Sequence, residues 1–414
     1  MNERFDCEVL VVGGGPAGIA AAVELRRRGV ASVVLLEREP ELGGVPRHCG
    51  HPPFGMREFG RVYRGPVYAA RLAGLAARHG VQIRTGVTVT QLAPGGTVHI
   101  ADASGPAQLS AARVLLATGV RESPRSARLV SGDRPVGVLN TGALQSFVYQ
   151  RHLVPFRRPL IVGTELVAIS AVLTCLKAGI RPVGMVEAAA RPTTRRLFMA
   201  LPRLCSVPVW YGTRLEEIVG ASRVEGARLR GPDGAPRAID CDGILFTGQF
   251  VPESTLVRAS HLLLDSGTGG PVVDQHGRCS DPAFFAAGNL LRPVETAGWS
   301  FREGRRIGAT IAGDLQGRRA GAPTGTTVRV ERGDNIKLAM PQRLVMPIGD
   351  AGLGALQVRV TQAVDGVLEV RAGARVLWQQ PVSALPERRM LVPLAGLALP
   401  PGTDTLRVAV RPQA

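Results

Sequence analysis

The stretch at residues 7–37, CEVLVVGGGPAGIAAAVELRRRGVASVVLLE, decides the fold of this chain. Its apolar runs at 9–12 and 33–36 are typical of buried parallel strands. The alanine-rich segment between them is typical of a helix. The sequence therefore predicts a strand, a glycine turn, a helix and a second strand in succession.

The glycines of the turn each have a physical purpose. Gly13 permits the tight turn, Gly15 lets a pyrophosphate approach the backbone, and Gly18 lets the helix pack closely on the strand. The N-terminus of the helix then offers unpaired N–H groups to the phosphates. Glu37, 24 residues after Gly13, is placed to accept hydrogen bonds from a ribose. This combination predicts a dinucleotide-binding site.

Composition limits the possible functions. The 414 residues predict two or three domains, and the formal charge of +17 comes almost entirely from arginine, since lysine occurs only at Lys177 and Lys337. The arginines are spread along the chain and aromatic residues make up 4%, so nucleic-acid binding is disfavoured. A docking surface for an acidic partner is the more plausible use of the charge.

The six cysteines are scattered without a CxxC or CxxxxC pair. This argues against a disulfide framework, a zinc site and an iron–sulfur cluster within the chain, and no metal site is predicted. The N-terminus does not resemble a secretory signal, and the apolar run at 9–23 is too short and glycine-rich to span a bilayer. The prediction is a cytoplasmic protein without a transmembrane segment.

The opening pattern returns at residues 159–187. Gly163 corresponds to Gly13, Ala168 stands where Gly18 stood, and Glu187 follows Gly163 by 24 residues. This internal repeat predicts a second nucleotide-binding fold inserted in the first.

The rest of the sequence predicts further buried strands and, near its end, a change from strand–helix alternation to short alternating β-type runs. Runs at 112–119, 241–248 and 281–289 are typical of buried strands, whereas short alternating β-type runs beyond a linker-like segment near 319 suit a small β-sandwich. The predicted domains are 1–125 and 241–318 for the first fold, 126–240 for the inserted fold and 319–414 for the C-terminal β domain.

Four separated motifs resemble the pyridine nucleotide-disulphide oxidoreductase superfamily, whose members carry two dinucleotide-binding domains. They are VVGGGPAGIAAA with Glu37, LLATG at 115–119, IVGTELVA in the second fold and FFAAGN at 284–289. The resemblance covers about residues 5–315. It implies an α/β fold with two Rossmann-type domains, FAD in the first domain and NAD(P)H in the inserted one.

The loop LGGVPRHCGHPPFG and the segment RPVETAGWSFREG are similar to flavoprotein subunits of multi-subunit dehydrogenases. Cyanide synthase B, opine oxidase A and hydroxyproline dehydrogenase subunits are examples. This nearer resemblance implies two partners, a small iron–sulfur protein and a second flavoprotein dehydrogenase subunit.

Three features depart from the superfamily pattern. Val45-Pro46 follows the glycines where a redox CxxxxC or CxxC would begin, so a disulphide reductase mechanism is disfavoured. Glu165 stands where the second fold should have its pyrophosphate-approaching glycine, at a cost in space and in like-charge repulsion. The C-terminal tail lacks cysteines, so any iron–sulfur cluster would lie on another polypeptide of the complex.

The resemblance implies that FAD is held by the glycine turn, by Glu37, by the motif FFAAGN at 284–289 (the late motif) and by the loops between them. Asn289 replaces the family's aspartate and can still donate and accept hydrogen bonds, although a plain loop is the alternative. The predicted FAD-binding residues are Gly13, Gly15, Pro16, Ala17, Gly18, Glu37, Arg38, Gly44, Thr118, Gly119, Gly288, Asn289 and Thr296.

The cluster His48-Cys49-Gly50-His51 contains the most reactive side chains of the long loop, and by analogy it lies near the isoalloxazine. Cys49, His48 and His51 are the candidate catalytic residues, as tuners of the flavin, as proton relays or as a single-cysteine oxidase centre. The alternative is a packing loop with an inert thiol.

The second nucleotide is assigned to Gly163 and Glu187. Glu187 favours a free 2′-hydroxyl and so NAD over NADP, whereas the nearby Arg191, Arg195 and Arg196 could receive a phosphate. NAD(P), another adenine nucleotide and a vestigial pocket all remain open at this point.

The leading functional hypothesis is an FAD-dependent oxidoreductase subunit that passes electrons between a partner dehydrogenase and an acceptor. The substrate implied by resemblance is a small amine, imino acid, hydroxy acid or polyol phosphate. A stand-alone NAD(P)H-dependent reductase or single-cysteine oxidase is the second hypothesis, and a non-catalytic nucleotide-binding scaffold is the third.

Overall fold

The computed structural model of the chain describes residues 6–317, 326–349, 352–386 and 388–412. Most of the predicted linker after residue 317 lies outside them. The described residues form two compact units. The first contains those of Met1–Gly44, Ala69–Val120 and Pro252–Ala414, and the second consists of Val45–Tyr68 and Arg121–Val251.

The first unit contains a seven-stranded sheet built around the opening strand. The opening strand Cys7–Val12 pairs in parallel with Val33–Glu37 on one side and with Gly105–Leu116 on the other. Parallel pairing of Cys7–Val12 with Val33–Glu37 requires a crossover connection such as the helix between them. An antiparallel meander extends one side of the sheet. The order is Gln82–Thr85, Val33–Glu37, Cys7–Val12, Gly105–Leu116, Thr97–Asp102 and Thr88–Ala93, with Phe284–Ala286 also pairing with Gly105–Leu116.

Two glycines allow the helices Pro16–Arg27 and Ala297–Leu315 to pack closely. A side chain at Gly304 would place its Cβ 2.0 Å from the Ala17 carbonyl oxygen, and one at Gly308 would lie 2.7 Å from that of Ala21. Only glycine permits this approach, since a Cβ within 3 Å would overlap the backbone. Other helices and helical turns with residues in this unit are Gly65–Arg78, which begins in the second unit, Pro94–Gly96, Thr255–Arg258, Gly288–Leu290 and Leu394–Gly396.

The C-terminal strands of the first unit form two sheets around one apolar core, as the predicted β-sandwich requires. Val328 and Leu368 come from one sheet, and Leu356 and Val392 from the other, and all four are buried in the same cluster. The five-stranded sheet has the order Arg343–Val345, Thr327–Arg332, Thr405–Pro412, Val364–Ala372 and Arg375–Ala384, and the three-stranded sheet has the order Ile336–Met340, Ala355–Val360 and Met390–Pro393.

The second unit contains a parallel five-stranded sheet, the inserted fold that the repeat predicts. Its central strand, Pro159–Val162, pairs in parallel with Gly184–Glu187 and with Gly243–Phe246, just as the opening strand of the first sheet pairs in parallel with a strand on each side. The order is Val209–Tyr211, Gly184–Glu187, Pro159–Val162, Gly243–Phe246 and Val138–Asn140. The α/β class with two Rossmann-type domains is therefore confirmed.

A smaller sheet and several short helices complete the second unit. Antiparallel pairing joins the hairpin strands, in agreement with the hairpin-rich stretch seen in the sequence. The sheet order is Pro236–Asp240, Gly226–Arg230, Arg214–Val219 and Ser131–Gly132, and the short strands Val120–Glu122 and Phe250–Pro252 pair with each other. The helices and helical turns are Val45–His48, Met56–Phe59, Arg125–Arg128, Thr141–Gln150, Leu166–Lys177, Arg196–Met199 and Ala200–Leu204.

The predicted domain limits differ from this arrangement at two places. The predicted first fold includes residues 45–68, which belong to the second unit. The sequence pattern assigns residues 241–248 to the second part of the first fold, yet Gly243–Phe246 pairs with Pro159–Val162 in the second unit. A buried apolar strand ending in Thr-Gly looks the same in either sheet, because its partner is distant in sequence. The other domain limits stay predictions. Within the described residues, no helix has both the length and the apolar character needed to cross a membrane.

Candidate nucleotide-binding sites

The first glycine turn, in the first unit, has the conformation that a dinucleotide site needs. Gly13 has a φ of +108°, and a Cβ there would lie 2.5 Å from the Ala117 carbonyl oxygen. A Cβ at Gly18 would lie 2.0 Å from the Gly13 carbonyl oxygen. Both positions therefore demand glycine for reasons internal to the fold.

Gly15 is different, because the space above it is open. The nearest atom to a Cβ at this position would be the Gly44 Cα, 4.0 Å away. The loop that carries Gly44 is held beside the turn by a bond from the Gly43 amide to the Gly14 carbonyl, 2.8 Å long. A glycine that the protein's own packing does not require leaves room for the close approach of another group.

The helix that follows supplies donors at the same place. Pro16 occupies its first turn, no side chain caps its N-terminus, and the first turn contains no acidic residue. The unpaired N–H groups and the positive end of the helix dipole therefore remain for an anion.

Glu37 ends the second strand and is buried, with 8% of its surface exposed. Its Oε2 accepts a bond from the Gly14 amide at 2.8 Å, and its Oε1 accepts one from the Glu39 amide at 2.9 Å. Each oxygen retains a lone pair that a ribose hydroxyl can use. Arg38, by contrast, has an exposed side chain.

The later motifs of the first unit, at residues 115–119 and 284–289, also form turns. The Thr118 hydroxyl donates to the Glu253 carbonyl at 2.8 Å, and Gly119 has a φ of +78°. A Cβ at Gly288 would lie 2.7 Å from the Ala17 Cβ, which places the late motif against the first helix.

The Asn289 side chain is engaged within its own segment. Its amide nitrogen donates to the Glu295 carbonyl at 3.0 Å, and its oxygen accepts from the Glu295 amide at 2.8 Å. Asn289 therefore shapes the turn that leads to Thr296, the residue that precedes the helix Ala297–Leu315. Its second amide hydrogen remains for a bound group.

The residues of the first unit fit an FAD. The open space at Gly15, the uncapped helix N-terminus and the buried carboxylate of Glu37 are the features that its pyrophosphate and ribose require.

The second glycine turn, in the second unit, is filled by its own side chain. The Glu165 Oε2 accepts a bond from the Thr247 hydroxyl at 2.7 Å. A Cβ at Gly163 would lie 2.5 Å from Glu165 Oε2, and one at Gly248 would lie 2.4 Å from Glu165 Cδ. The carboxyl group thus folds back over the turn, and withdrawal from water raises its pKa to about 7.

Glu187 accepts three hydrogen bonds from protein donors, one more than Glu37. Its Oε2 accepts bonds from the hydroxyls of Thr164 and Thr193, and its Oε1 accepts one from the Ala189 amide at 3.0 Å. Arg128 lies at the same end of the sheet and donates to the Thr247 and Gly248 carbonyls at 3.1 and 2.8 Å. In this arrangement the Glu165 carboxyl group occupies the part of the second turn that corresponds to the open space at Gly15.

The loop with His48 and Cys49 packs tightly within the second unit. The Cys49 thiol is buried and lies 3.5 Å from Gln145 Oε1, and burial raises its pKa to about 12. A Cβ at Gly50 would lie 2.1 Å from the Tyr149 ring. A thiol with this pKa is not a ready nucleophile, so the structure favours the packing alternative for Cys49.

The two histidines of the loop differ from each other. Both are partly buried, but His48 Nδ1 lies 3.2 Å from the side-chain oxygen Oε1 of Gln145, whereas His51 Nδ1 lies 2.9 Å from the backbone carbonyl of the adjacent Pro52. Their proposed proton-relay role stays a prediction. No group of metal-ligating side chains occurs among the described residues.

Sequence reasoning missed several polar residues that tertiary contacts reveal. Glu122 is buried, with one oxygen accepting from the Gly142 amide at 2.7 Å, and burial raises its pKa. Arg292 and Glu303 form a buried ion pair in the first unit. Glu122 carries no sequence signal of its own, and the segment RPVETAGWSFREG, which contains Arg292 and Glu303, does not reveal that they pair, because tertiary packing decides which charged residues are buried.

Known proteins share this sequence pattern and fold. Opine oxidase A of Agrobacterium tumefaciens (strain Ach5) is 25% identical over 68% of this chain and 61% of its own length. Alkyl hydroperoxide reductase F of Pseudomonas putida is 28% identical over 70% of this chain and 54% of its own length. Because the chain spans less than two thirds of either relative, their activities and partners enter below only as proposals.

Solved structures show the same fold. The thioredoxin reductase of T. acidophilum superposes on 76% of this chain and 100% of its own with a TM-score of 0.65, at 22% identity.

The family model for pyridine nucleotide-disulphide oxidoreductases matches residues 7–304, which include both glycine turns and the late motif. Members of this family bind FAD and NAD(P). The chain belongs to the pyridine nucleotide-disulphide oxidoreductase family and is an FAD-dependent oxidoreductase.

Proposed function

We propose that this chain is the electron-transferring flavoprotein subunit of a multi-subunit dehydrogenase. The observation that carries the proposal is the position of Glu165, which fills the second glycine turn while the space above Gly15 in the first turn stays open. The chain thus keeps a flavin site and obstructs its own nicotinamide site.

The other internal redox partner of the flavin in this family would be a pair of cysteines, which can donate electrons only as a dithiol. All six cysteines lie in the described part of the chain, and none forms a disulfide. The one cysteine of the long loop, Cys49, is buried with a raised pKa. Without a nicotinamide or a dithiol of its own, the flavin would receive electrons from another protein.

The relatives support the proposal that the chain is a subunit of a larger enzyme. Opine oxidase A is named as one of the subunits of that oxidase. By analogy, the partners here are a small iron–sulfur protein and a second flavoprotein dehydrogenase subunit, which oxidises a small amine, imino acid, hydroxy acid or polyol phosphate. The formal charge of +17 suits a partner with an acidic surface.

FAD, when bound, supplies the electron-transfer chemistry, and the chain supplies binding and orientation. The N-terminus of the helix Pro16–Arg27 and the backbone at Gly15 would hold the pyrophosphate, and Glu37 would accept the ribose hydroxyls. Thr118, Gly288, Asn289 and Thr296 would line the remainder of the cofactor site.

An anaerobic absorbance titration of the full chain tests the proposal. The purified protein should be yellow, should keep its flavin oxidised when NADH or NADPH is added, and should bleach with dithionite. A chain that does not take up FAD would contradict the proposal.

A stand-alone NAD(P)H-dependent reductase is the second candidate, because alkyl hydroperoxide reductase F is also a relative. Rapid bleaching by NADH, lost when Gly163 is replaced by Asp, would favour this candidate instead. Glu225→Gln, a change at an exposed carboxylate of the same unit, is the control and should leave the titration unchanged.

A further inference from the structure

We propose that the C-terminal β domain clamps the cofactor-proximal segment 288–296 of the first unit and thereby sets how tightly, and at what potential, FAD is held. The inference rests on the proposed FAD site. The segment runs from the late motif at Gly288 to Thr296, which precedes the helix Ala297–Leu315. Three side chains on two paired strands of the β domain, or beside them, contact this segment and its buried carboxylates.

Arg359, in the strand Ala355–Val360, holds the backbone of the segment. Its guanidinium donates to the carbonyl oxygens of Pro293 and Val294, the latter at 2.9 Å. The same group donates to Glu295 Oε1 at 2.9 Å. One side chain thus fixes three consecutive residues, and a planar guanidinium is suited to such a fork of contacts.

Arg389 completes the contact from the other side. Its Nη1 lies 3.0 Å from Glu295 Oε2, so that both oxygens of Glu295 are paired with arginines of the β domain. The side chains of Arg359 and Glu295 are 6% and 8% exposed. Removal of one partner from such a buried pair destabilises the fold, because the remaining charge is left buried without a partner.

A second buried pair ties the segment to the helix. Arg292 donates to both oxygens of Glu303 at 2.9 and 2.8 Å, and the Gly288 amide donates to Glu303 Oε1 at 2.8 Å. Gln357 of the β domain lies 3.3 Å from Glu303 Oε2. The β domain therefore contacts both carboxylates that set the path of the segment.

The described residues of the cluster include more arginines than carboxylates. Among the residues that the structure describes, Arg292, Arg359 and Arg389 form ion pairs with two carboxylates, those of Glu295 and Glu303. Salt screens buried charges poorly, so this excess acts on nearby groups. A positive charge favours the addition of electrons to a neighbouring flavin. Arg359 and Arg389 would accordingly act as positioning residues that also raise the flavin potential.

The test compares the full-length chain with Arg359→Gln, Glu295→Gln and the matched control Arg375→Gln, whose arginine is exposed on the same domain. The readouts are the FAD dissociation constant, from the quenching of FAD fluorescence, and the equilibrium reduction potential against a redox dye. We expect Arg359→Gln to weaken FAD binding by about tenfold or more, as truncation in a buried charge pair does.

The potentials provide the sharper criterion. Loss of the Arg359 charge should move the potential to a more negative value, whereas loss of the Glu295 charge should move it to a more positive one. Arg375→Gln should change neither readout. Opposite shifts cannot come from general damage to the fold, which would move both variants in the same direction.

Unchanged affinity and potential in both clamp variants, or shifts of the same sign, would overturn the inference. Should Arg359→Gln fail to fold, Arg389→Gln, at a more exposed position with 14% of its side chain accessible, replaces it in the same comparison. Failure of the wild-type chain to take up FAD would refute the proposed function instead, so the two failures are distinguishable.

Discussion

The two glycine turns share a main-chain framework and differ in several side chains, of which the one at the third position decides whether the turn is open. The Gly13 amide donates to the Leu36 carbonyl at 2.8 Å, and the Gly163 amide donates to the Val186 carbonyl at 2.9 Å. The main-chain framework of the turn is thus repeated. At the third position, however, Gly15 leaves open space whereas Glu165 fills it. A repeated fold can therefore keep its architecture while a side chain at one position occupies the space that is open in the other copy.

The largest expected effect comes from copying the second turn into the first. Gly15→Glu should weaken FAD binding by about 100-fold or more, or about 3 kcal/mol, because a carboxylate would take the space and repel the pyrophosphate. The FAD content of the purified protein and an FAD titration measure the effect. Gly313→Ala is the control, since no atom lies within 4 Å of its Cβ. Normal FAD content in Gly15→Glu would contradict the comparison.

The packing glycine of the turn provides the next effect. Gly18→Ala would bring a Cβ to 2.0 Å from the Gly13 carbonyl oxygen, so we expect a loss of about 2 kcal/mol in the free energy of unfolding. Denaturant unfolding of the apoprotein measures this loss without any contribution from the cofactor. An unchanged unfolding midpoint would show that the first helix can shift away from its strand.

The pH dependence of stability tests the burial of Glu165. Burial raises its pKa from 4.5 to about 7, so between these values the folded chain holds a proton that the unfolded chain releases. The contribution of Glu165 to stability therefore falls as the pH rises through this window. Glu165→Gln lacks this charge and should gain about 1–3 kcal/mol on the wild type from about pH 5 to about pH 8.

Thermal unfolding across this pH range provides the measurement, and Glu225→Gln, at an exposed carboxylate, provides the reference for a change that should not alter the profile. Parallel pH profiles for Glu165→Gln and the wild type would mean that the carboxyl group remains hydrated and does not close the turn.

The smallest effect concerns the residue that replaces Gly18 in the second fold. Ala168 is fully buried in the helix Leu166–Lys177, so its fold already accommodates a Cβ at this position. Ala168→Gly should cost only about 0.5–1 kcal/mol of stability, the ordinary penalty for glycine within a helix. A gain in stability would contradict this, because it would mean that the Ala168 Cβ is crowded as a Cβ at Gly18 would be.

Much of the fold follows from local sequence. The glycine turns, the acid that ends each second strand and the alternation of strand and helix depend on backbone sterics and hydrophobic periodicity, which act over a few residues. The β-sandwich near the C-terminus is predictable for the same reason. The open site at Gly15 also follows, because its glycine belongs to a local fingerprint.

The sequence by itself thus determined two dinucleotide-type folds and the FAD-binding pattern of the first. It also showed that Glu165 stands at the position of the glycine that a pyrophosphate would approach. Only the tertiary structure decided that Glu165 reaches Thr247, that Cys49 is buried beside Gln145, and that Arg359 pairs with Glu295. Each of these contacts joins residues far apart in the chain. Their chemistry depends on burial and on the partner's position, and both are set only when the distant segments pack together.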